Sequence, residues 1–392
     1  MKNFLIEEIS ESSRRSVLIL DILRREGPLS RMDLSRILKI NAVSISNYVD
    51  KLVEKGLIYE RSLDDSSGGR RPILLDINKE AVYSLGVVIN HQVSLGVVLN
   101  LAGEVVYSYR KDNIASSTNE VIEHLRDISE NLIEKISRFK DKVKGLGVAI
   151  GGLVDRKKEI ICWPQGLENG FYSYISMPLK SYLEERFNIP VFVGNDANLA
   201  CLAEYKYSLG VEVRNVLYMF SGVGCGLIIE GEPYTGSNGF AGELFINNTK
   251  NEFTTYLGDF SFFKPWPVDL GLIKKAREIV GEKTTEKISS LEDVWSLAYK
   301  YPSLKNLVNE AVKSLGIKIA FLVNIFNPEV VIMGGGMEKG GFEFIEKICF
   351  YIKEYAFEES SKDLKVMAST LGEKAAAIGA ASVILRKVFT FT

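Results

Sequence analysis

The chain has 392 residues, of which 46% are hydrophobic and 25% charged, and its formal net charge is −2; this length predicts two or three domains, and three are expected. No apolar run approaches the roughly 20 residues of a membrane helix, and the N-terminus does not resemble a secretory signal, so we expect a cytoplasmic protein that binds no membrane. Four scattered cysteines and only two histidines argue against a metal site, and no cofactor is expected.

Three helices are predicted at the start of the chain. The segment SRRSVLILDILRR (13–25) has apolar residues at helical spacing and is followed by Gly27 and Pro28. In SRMDLSRILKI (30–40), Ser30 and Asp33 are close to a capping box. The segment NAVSISNYVDKLVEKGLI (41–58) predicts a third helix that ends at Gly56.

The third helix has two different faces. At 100° per residue, Ile45, Val49, Leu52 and Val53 project to one side, whereas Ser44, Asn47 and Lys51 project to the other. This pattern is typical of a helix-turn-helix, whose second helix enters the major groove of DNA. We expect Ser44 and Asn47 to read bases and Lys51 to contact phosphate.

The segment LIYERSLDDSSGGRRPILLDI (57–77) predicts two strands joined by a glycine-containing loop, which is a wing. Arg70 and Arg71 at its tip suit a phosphate or a narrow minor groove. Residues 12–72 contain 12 Lys and Arg against 8 Asp and Glu, a modest basic bias. Residues 12–78 resemble the winged helix-turn-helix of bacterial repressors, and a DNA-binding domain is predicted over 1–78. A three-helix protein-interaction module is the alternative.

From Tyr83 onward, apolar strands alternate with helices, which predicts an α/β fold. The stretch YSLGVVINHQVSLGVVLNLAGEVVYSYRKD (83–112) has a counterpart in NVLYMFSGVGCGLIIEGEPYTGS (215–237), and each predicts a hairpin followed by a third strand. Two lobes with a cleft between them are expected, in the layout of an actin-like sugar kinase (ribonuclease H-like) fold. The predicted lobes are 79–195, completed by a C-terminal helix near 375–392, and 196–374.

A pocket for a sugar is predicted at the ends of two strands. Asn195 and Asp196 follow a strand at its carboxyl end, where α/β folds open their ligand crevices. An amide beside a carboxylate can bind adjacent hydroxyls in opposite senses, and Glu243 adds an acceptor. The alternative for Asp196 is that it only caps the following helix.

Four motifs resemble the ROK family (repressors, open reading frames and kinases): VFVGNDANLACLAEY (191–205), FSGVGCGLIIEGEPYTGSNGFAGEL (220–244), NPEVVIMGGGM (327–337) and AAAIGAASVIL (375–385). The resemblance covers nearly all of residues 80–392. It implies that Asp196 is the catalytic base in an active kinase and that Glu243 holds ring hydroxyls. It also places Gly151 and Gly152 beside the sugar, SGVGCG (221–226) on a phosphate and Gly334–Gly336 against adenosine.

Two departures from the family pattern predict a loss of catalysis. Where a family kinase has Asp-Gly-Gly-Thr in the first hairpin turn, this chain has Asn90, His91 and Gln92 after a strand, without the acid or the glycines. Phosphoryl transfer depends on positioning and charge neutralisation, so both losses should lower the rate by orders of magnitude. After Ala-Gly-Glu the family's His and zinc-binding cysteines are missing, so no zinc is expected. Phe245, Tyr256 or Trp266 are candidates to line an altered pocket.

The sequence therefore predicts a sugar-responsive transcriptional regulator, in its simplest form a repressor, that binds operator DNA and a sugar or sugar derivative. A homodimer or higher homo-oligomer is expected, because half-sites in operators favour two-fold symmetry. One alternative is an active ATP-dependent sugar kinase, of glucokinase or N-acetylhexosamine kinase type, with an accessory DNA-binding domain. The other is a regulator that no longer responds to a ligand.

Overall fold

A computed structural model describes residues 11–61, 73–90, 93–111, 118–155, 157–158, 160–166, 172–210, 212–220, 224–244, 268–281, 288 and 291–387. Within these ranges, no helix has both the length and the apolar character needed to cross a membrane.

The N-terminal part is a winged helix-turn-helix. Its sheet has the order β1-β3-β2, and β2 pairs with β3 in antiparallel fashion, as a wing requires. The predicted wing tip, with Arg70 and Arg71, lies outside the described residues. The elements are α1 (Glu11–Glu26), β1 (Leu29–Ser30), α2 (Arg31–Leu38), α3 (Ala42–Glu54), β2 (Ile58–Arg61) and β3 (Leu74–Ile77).

Local sequence signals fix the ends of these helices. Ser30 and Asp33 form the predicted capping box, in which each side chain accepts a hydrogen bond from the other residue's backbone N–H. The Asn41 side chain caps α3 by accepting from the N–H of Ser44. Gly56 adopts a φ of 65° after the helix, a left-handed conformation that glycine tolerates. Apart from Val53, which is half-buried, the predicted core face of α3 is buried.

The first large sheet has the order β11-β7-β4-β5-β6. The predicted hairpin is confirmed, because β4 and β5 pair in antiparallel fashion and β6 extends them, while β7 and β11 run parallel to β4. Its strands are β4 (Tyr83–Ile89), β5 (Ser94–Asn100), β6 (Val105–Lys111), β7 (Val143–Ile150) and β11 (Val191–Asn195), and a small sheet beside it contains β8 (Leu153–Asp155), β9 (Ile160–Gly166) and β10 (Tyr172–Met177).

The second large sheet repeats this arrangement with the order β14-β13-β12-β15-β16. Here too a three-strand antiparallel meander is followed by two parallel strands. The sequence repeat therefore corresponds to two sheets of the same topology, as predicted. The strands are β12 (Val216–Phe220), β13 (Gly224–Ile229), β14 (Glu232–Pro233), β15 (Val330–Gly334) and β16 (Lys365–Ala368).

Helices cover both faces of each sheet. The described helices of this region are α4 (Thr118–Lys135), α5 (Leu179–Phe187), α6 (Asp196–Tyr207), α7 (Val268–Val280), α8 (Leu291–Ala298), α9 (Pro302–Phe326), α10 (Gly341–Tyr355), α11 (Glu358–Ser361) and α12 (Ala375–Lys387). Helices α6 and α12 pack on each other between the sheets, with α12 against β4 and β7 and α6 against β12 and β13. The predicted boundaries at 78/79, 195/196 and 374/375 stay predictions.

Three groups of buried apolar residues stabilise the chain. One fills the outer side of the first sheet under α4 and α5, and another fills the outer side of the second sheet under α7 to α10. The third, which we call the central core, surrounds α6 and α12 and continues without interruption into the winged helix-turn-helix, from Val17 to Ile77. The winged helix-turn-helix and the α/β fold thus share one hydrophobic core. Among the described cysteines, Cys201, Cys225 and Cys349 are free thiols.

Candidate functional site

Two strand ends bring most of the predicted sugar residues together. Strands β7 and β11 are parallel neighbours, and Asn195 at the end of β11 is in register with Ile150 at the end of β7. Gly151 and Gly152, which follow β7, therefore lie beside Asn195 and Asp196. The amide of Asn195 donates to the carbonyl oxygen of Gly152 at 3.1 Å. We call these residues, with Asn90 and Glu243, the cleft site.

Asn195, not Asp196, is the N-cap of α6. The Oδ1 atom of Asn195 accepts from the N–H of Asn198 at 3.1 Å, so the alternative that Asp196 serves as the cap is wrong. The reason is geometric, because Asn195 has the extended backbone of a cap while Asp196 already begins the helix. Oδ1 of Asp196 accepts from the N–H of Ala197 at 2.9 Å, so this carboxylate binds the first turn of α6 without being its cap.

Asp196 is held by a residue from the first hairpin. It is buried, with 4% of its surface exposed. Its Oδ2 atom accepts from Nδ2 of Asn90 at 2.9 Å, and Oδ1 of Asn90 accepts from the N–H of Val93 at 3.0 Å. A Cβ added at Gly151 would lie 3.1 Å from Cβ of Asn90 and 3.5 Å from Oδ2 of Asp196, so glycine leaves room for this contact.

Glu243 faces the same carboxylate. Its backbone forms a bridge to Gly224 at the start of β13, and the residue is exposed to solvent. Desolvation by the surrounding protein and, second, the negative charge of Asp196 raise the pKa of Glu243 from an ordinary value of 4.5 to about 7. Near neutral pH the cleft site therefore has one protonatable carboxyl that can donate or accept.

The pKa of Glu243 predicts a pH-dependent stability. Because its pKa is higher in the folded than in the unfolded chain, the folded protein binds this proton more tightly, and its contribution to the free energy of unfolding falls as pH rises from about 4.5 to about 7. Glutamine resembles the protonated form. We expect Glu243→Gln to match wild type at pH 5 and to unfold at higher urea concentration than wild type at pH 8.

The increase in stability of Glu243→Gln at pH 8 is limited, since solvent that reaches Glu243 screens part of its repulsion with Asp196. Glu346→Gln, which changes an exposed carboxyl on α10, serves as the control and should shift the urea midpoint equally at both pH values. A Glu243→Gln variant that equals wild type at pH 5 but is less stable at pH 8 would contradict the assignment.

The polar face of α3 is open to solvent, as predicted. Asn47 and Lys51 are exposed, and Ser44 is half-buried. Sequence reasoning missed Val43, which is 72% exposed at the start of the same helix. An apolar side chain in this position can contact the methyl group of thymine, and its signal in the sequence was a valine placed off the buried stripe.

One arginine fixes the position of α3. Arg31 on α2 makes salt bridges of 2.8 Å to Asp50 on α3 and to Glu60 on β2. Since the guanidinium binds both partners with separate nitrogens, it joins the two helices of the motif to the first strand of the wing.

The predicted nucleotide residues are only partly described. Gly334 ends β15, and Gly335 and Gly336 follow with φ values of 61° and 94°. The Gly336 N–H donates to the carboxylate of Glu338 at 2.9 Å. His91, Gln92, Ser221–Val223, Phe245, Tyr256 and Trp266 lie outside the described residues. In the part of the chain that is described, no cluster of three or more His, Cys, Asp or Glu side chains is placed to hold a metal.

Comparison with protein families agrees with both halves of the fold. Residues 90–387 match the model of the ROK family, and residues 13–71 match that of the MarR family. The ROK match spans about three quarters of the chain. This protein belongs to the ROK family.

Three proteins are similar to the ROK chain described here over three quarters of its length or more. It is 26% identical over 390 residues to the xylose repressor of Caldicellulosiruptor bescii, with 96% of each chain covered. Its fold is similar to that of a ROK family transcriptional regulator, a homologue of the E. coli MLC protein (TM-score 0.73, 22% identity, 96% of each chain). It is also similar to a ROK family glucokinase from Streptomyces griseus (TM-score 0.60, 20% identity, 77% of this chain and 98% of the kinase). The predicted fold, a winged helix-turn-helix followed by a two-lobed sugar-kinase-like α/β region, is confirmed.

Proposed function

We propose that this ROK protein is a sugar-responsive DNA-binding repressor. The observation that supports it best is the presence in one chain of an exposed polar face on α3 and a polar cleft site closed around Asp196. The first is what a major-groove reader requires, and the second suits the hydroxyls of a small carbohydrate. The protein acts in the cytoplasm, where its operator is.

The name of one relative supports the choice of the first effector to test. The xylose repressor from Caldicellulosiruptor bescii aligns with it over nearly the full length, so an aldopentose of the xylose type is the first effector to test. Asn195, Asp196 and Glu243 bind its hydroxyls, and Gly151 and Gly152 allow close approach of the ring. Because the Oδ1 atom of Asn195 already caps α6, this amide orients the first turn of the helix as well as the ligand.

The effector is bound without being phosphorylated. Both polar atoms of the Asn90 side chain form hydrogen bonds, to Asp196 and to Val93, and an amide supplies no charge to hold Mg²⁺ near a phosphate. One oxygen of Asp196 accepts from that amide, which weakens it as a base. The Gly336 N–H donates to a carboxylate instead of facing a nucleotide. With Mg-ATP and a panel of sugars, no turnover is expected; turnover that Asp196→Asn abolishes would establish the kinase alternative.

A homodimer forms through the second lobe, within residues 196–374. Phe321 and Ile325 are one turn apart on α9 and are 51% and 54% exposed, and Phe357, which is 71% exposed, is held beside them by a hydrogen bond from its N–H to Asn324. Phe350 on α10 is 60% exposed. Exposed aromatic patches of this kind mark protein interfaces, and two-fold pairing places two α3 helices on one operator.

The test is a binding experiment with the purified chain. Operator sequences are selected from random duplex DNA, and binding to the best sequence is followed by fluorescence anisotropy with and without D-xylose, N-acetylglucosamine and a panel of mono- and disaccharides. A sugar that raises the Kd for operator at least tenfold supports the proposal, since coupling between sites is usually about 5- to 150-fold. No selected sequence, or no sugar that changes its affinity, contradicts it.

Lys51 gives a sharper test of the DNA face. Lys51 is exposed on α3 and contacts phosphate, so Lys51→Ala should weaken binding to operator and unrelated DNA alike and should reduce the slope of log K against log salt by about one. Asn47→Ala, in contrast, should relax the preference for operator and leave the slope unchanged. The preference for operator and the salt slope are both measured by anisotropy titrations between low and moderate salt.

The control for charge is Lys353→Ala, which removes an exposed lysine from α10. It should change neither affinity nor slope. Equal slopes for Lys51→Ala and wild type would show that α3 does not face the phosphates.

A further inference from the structure

Helix α6 connects the cleft site to the DNA-binding fold. Its first turn contains the cap Asn195 and the buried Asp196, and its last turn ends at Tyr207. Twelve residues at 1.5 Å per residue separate the two ends by about 18 Å. One helix therefore has its start in the effector site and its end at another part of the molecule.

The end of α6 is where α1 of the winged helix-turn-helix docks. The carbonyl oxygen of Lys206 accepts from Arg24 at 2.9 Å and from Arg25 at 3.3 Å. The Lys206 ammonium lies 3.3 Å from the carboxylate of Asp21, and the Arg24 guanidinium lies 4.4 Å from the centre of the Tyr207 ring. We call this set of contacts the α1–α6 joint.

Charge and helix polarity both favour the joint. A carbonyl at the C-terminus of a helix lacks an intrahelical donor and carries partial negative charge, which suits two guanidinium groups. Burial alone would raise the pKa of Asp21, but Lys206 and then Arg24 outweigh it and hold that pKa below its ordinary value. Asp21 is thus an anion at the joint near neutral pH.

The joint also contains groups that limit its stability. Among the described residues, Nε of Arg24 and Nε of Arg25 are buried without a hydrogen-bond partner. A buried donor without a partner has a desolvation cost that a docked state must offset. Favourable hydrogen bonds and unfavourable desolvation therefore oppose each other in the joint. A small change in the position of the Lys206 carbonyl oxygen can break it.

Helix α6 packs closely against both of its neighbours. Most of it is buried, and its backbone packs directly against glycines of both neighbours: Gly226 of β13 lies against Ala197 and Cys201, and Gly379 of α12 lies against Leu199. Close backbone packing prevents bending, whereas the small residues that make it allow helices to slide. A displacement at Asp196 is therefore delivered to Lys206.

We propose that α6 transmits effector binding to the DNA-binding fold, and that the α1–α6 joint is the contact whose geometry differs between the operator-binding and the released states. This inference rests on the proposed function and adds the route of its regulation. Asp21, Arg24 and Arg25 are positioning residues that contact neither the sugar nor DNA.

The test compares two double variants of α1. Arg24→Gln/Arg25→Gln removes both donors of the joint, and Arg14→Gln/Arg15→Gln removes the same charge from the other end of α1, where Arg14 is exposed and Arg15 pairs with Glu11. For each protein, the ratio of operator Kd with saturating D-xylose to that without is measured, together with the Kd for xylose in the absence of DNA. The effector found in the screen replaces xylose if another sugar acts.

We expect the ratio to fall from at least tenfold in wild type to below about threefold in Arg24→Gln/Arg25→Gln, with the sugar Kd changed by less than about threefold. The control should keep the wild-type ratio within about twofold. A joint variant with the wild-type ratio, an equal loss in the control, or loss of sugar binding itself overturns the inference. If the operator Kd of wild type is no higher with sugar than without it, the proposed function is wrong instead.

Hydrogen exchange supplies a readout without DNA. In wild type, the sugar should change amide exchange in peptides from both 196–208 and 11–26. In Arg24→Gln/Arg25→Gln it should change only 196–208, because the signal reaches the end of α6 but is not passed on. Sugar-dependent exchange in 11–26 that persists in this variant overturns the inference, even if the variant is less stable than wild type.

Discussion

The Asp196→Asn variant should bind operator DNA like wild type and should be released only at much higher sugar concentrations. Asp196 is the only carboxylate of the cleft site that is buried, and it lies at the opposite end of α6 from the contact with α1. Replacing it with an amide of the same shape removes a charged acceptor and leaves the winged helix-turn-helix untouched.

The expected size follows from the hydrogen bonds lost. Bonds to a charged group contribute about 1.5–3 kcal/mol, so the Kd for the effector should rise about 10- to 150-fold. The single oxygen of the new amide can still accept from Asn90, but the bond from the Ala197 N–H to the second carboxylate oxygen is lost. Calorimetric titration measures the Kd for the effector. Anisotropy of labelled operator with and without the effector measures release from DNA.

Asp127→Asn is the matched control. Asp127 lies on α4, on the outer side of the first sheet, where it pairs with Lys111. This variant should keep the wild-type effector Kd and response. If Asp196→Asn binds the effector with wild-type affinity, then the sugar does not contact this carboxylate, and the cleft site is wrongly placed.

Gly379→Ala should lower the free energy of unfolding by about 2 kcal/mol. A Cβ at this position would lie 1.9 Å from the carbonyl oxygen of Leu199 and 2.5 Å from its carbonyl carbon. Those atoms belong to the backbone of α6 and cannot rotate away, so α6 and α12 must separate. Overpacking costs about 3 kcal/mol, whereas the helix propensity gained from alanine is about 1 kcal/mol, so the clash prevails.

Urea denaturation followed by circular dichroism measures this loss. Gly224→Ala is the control, because a Cβ there would meet Cβ of Ala197 at 3.7 Å, an ordinary contact. It should change stability by less than about 1 kcal/mol. A Gly379→Ala variant as stable as wild type would mean that the two helices are not in backbone contact.

Local patterns were sufficient to predict the elements and much of the cleft site. The capping box at Ser30, the apolar stripe of α3 and the hairpin after Tyr83 depend on residues within one turn or one strand, and all three were predicted from the sequence. Asn195 and Asp196 were predicted to line a pocket because they follow a strand at its carboxyl end, whereas the glycines after β7 were placed beside the sugar by the resemblance to the ROK family.

What could not be predicted depends on residues far apart in the chain. The bond between Asn90 and Asp196 joins positions 106 residues apart, and no periodicity in either segment encodes it. The role of Asn195 as the cap depended on a one-residue shift in where α6 begins, which is within the usual uncertainty of helix ends. The docking of Arg24 and Arg25 on Lys206 was not predicted, because arginines in a basic N-terminal helix suggest DNA contacts first.

The uninterrupted central core has a consequence for how this molecule can be divided. When a DNA-binding domain is joined to the rest of a protein by a flexible linker, the chain can be cut at the linker and each fragment stays folded. Here the apolar side chains of α1 and α3 belong to the same buried group as those around α6 and α12. Separating the winged helix-turn-helix from the α/β region would expose apolar side chains on both fragments. The two regions are therefore expected to unfold in one thermal transition.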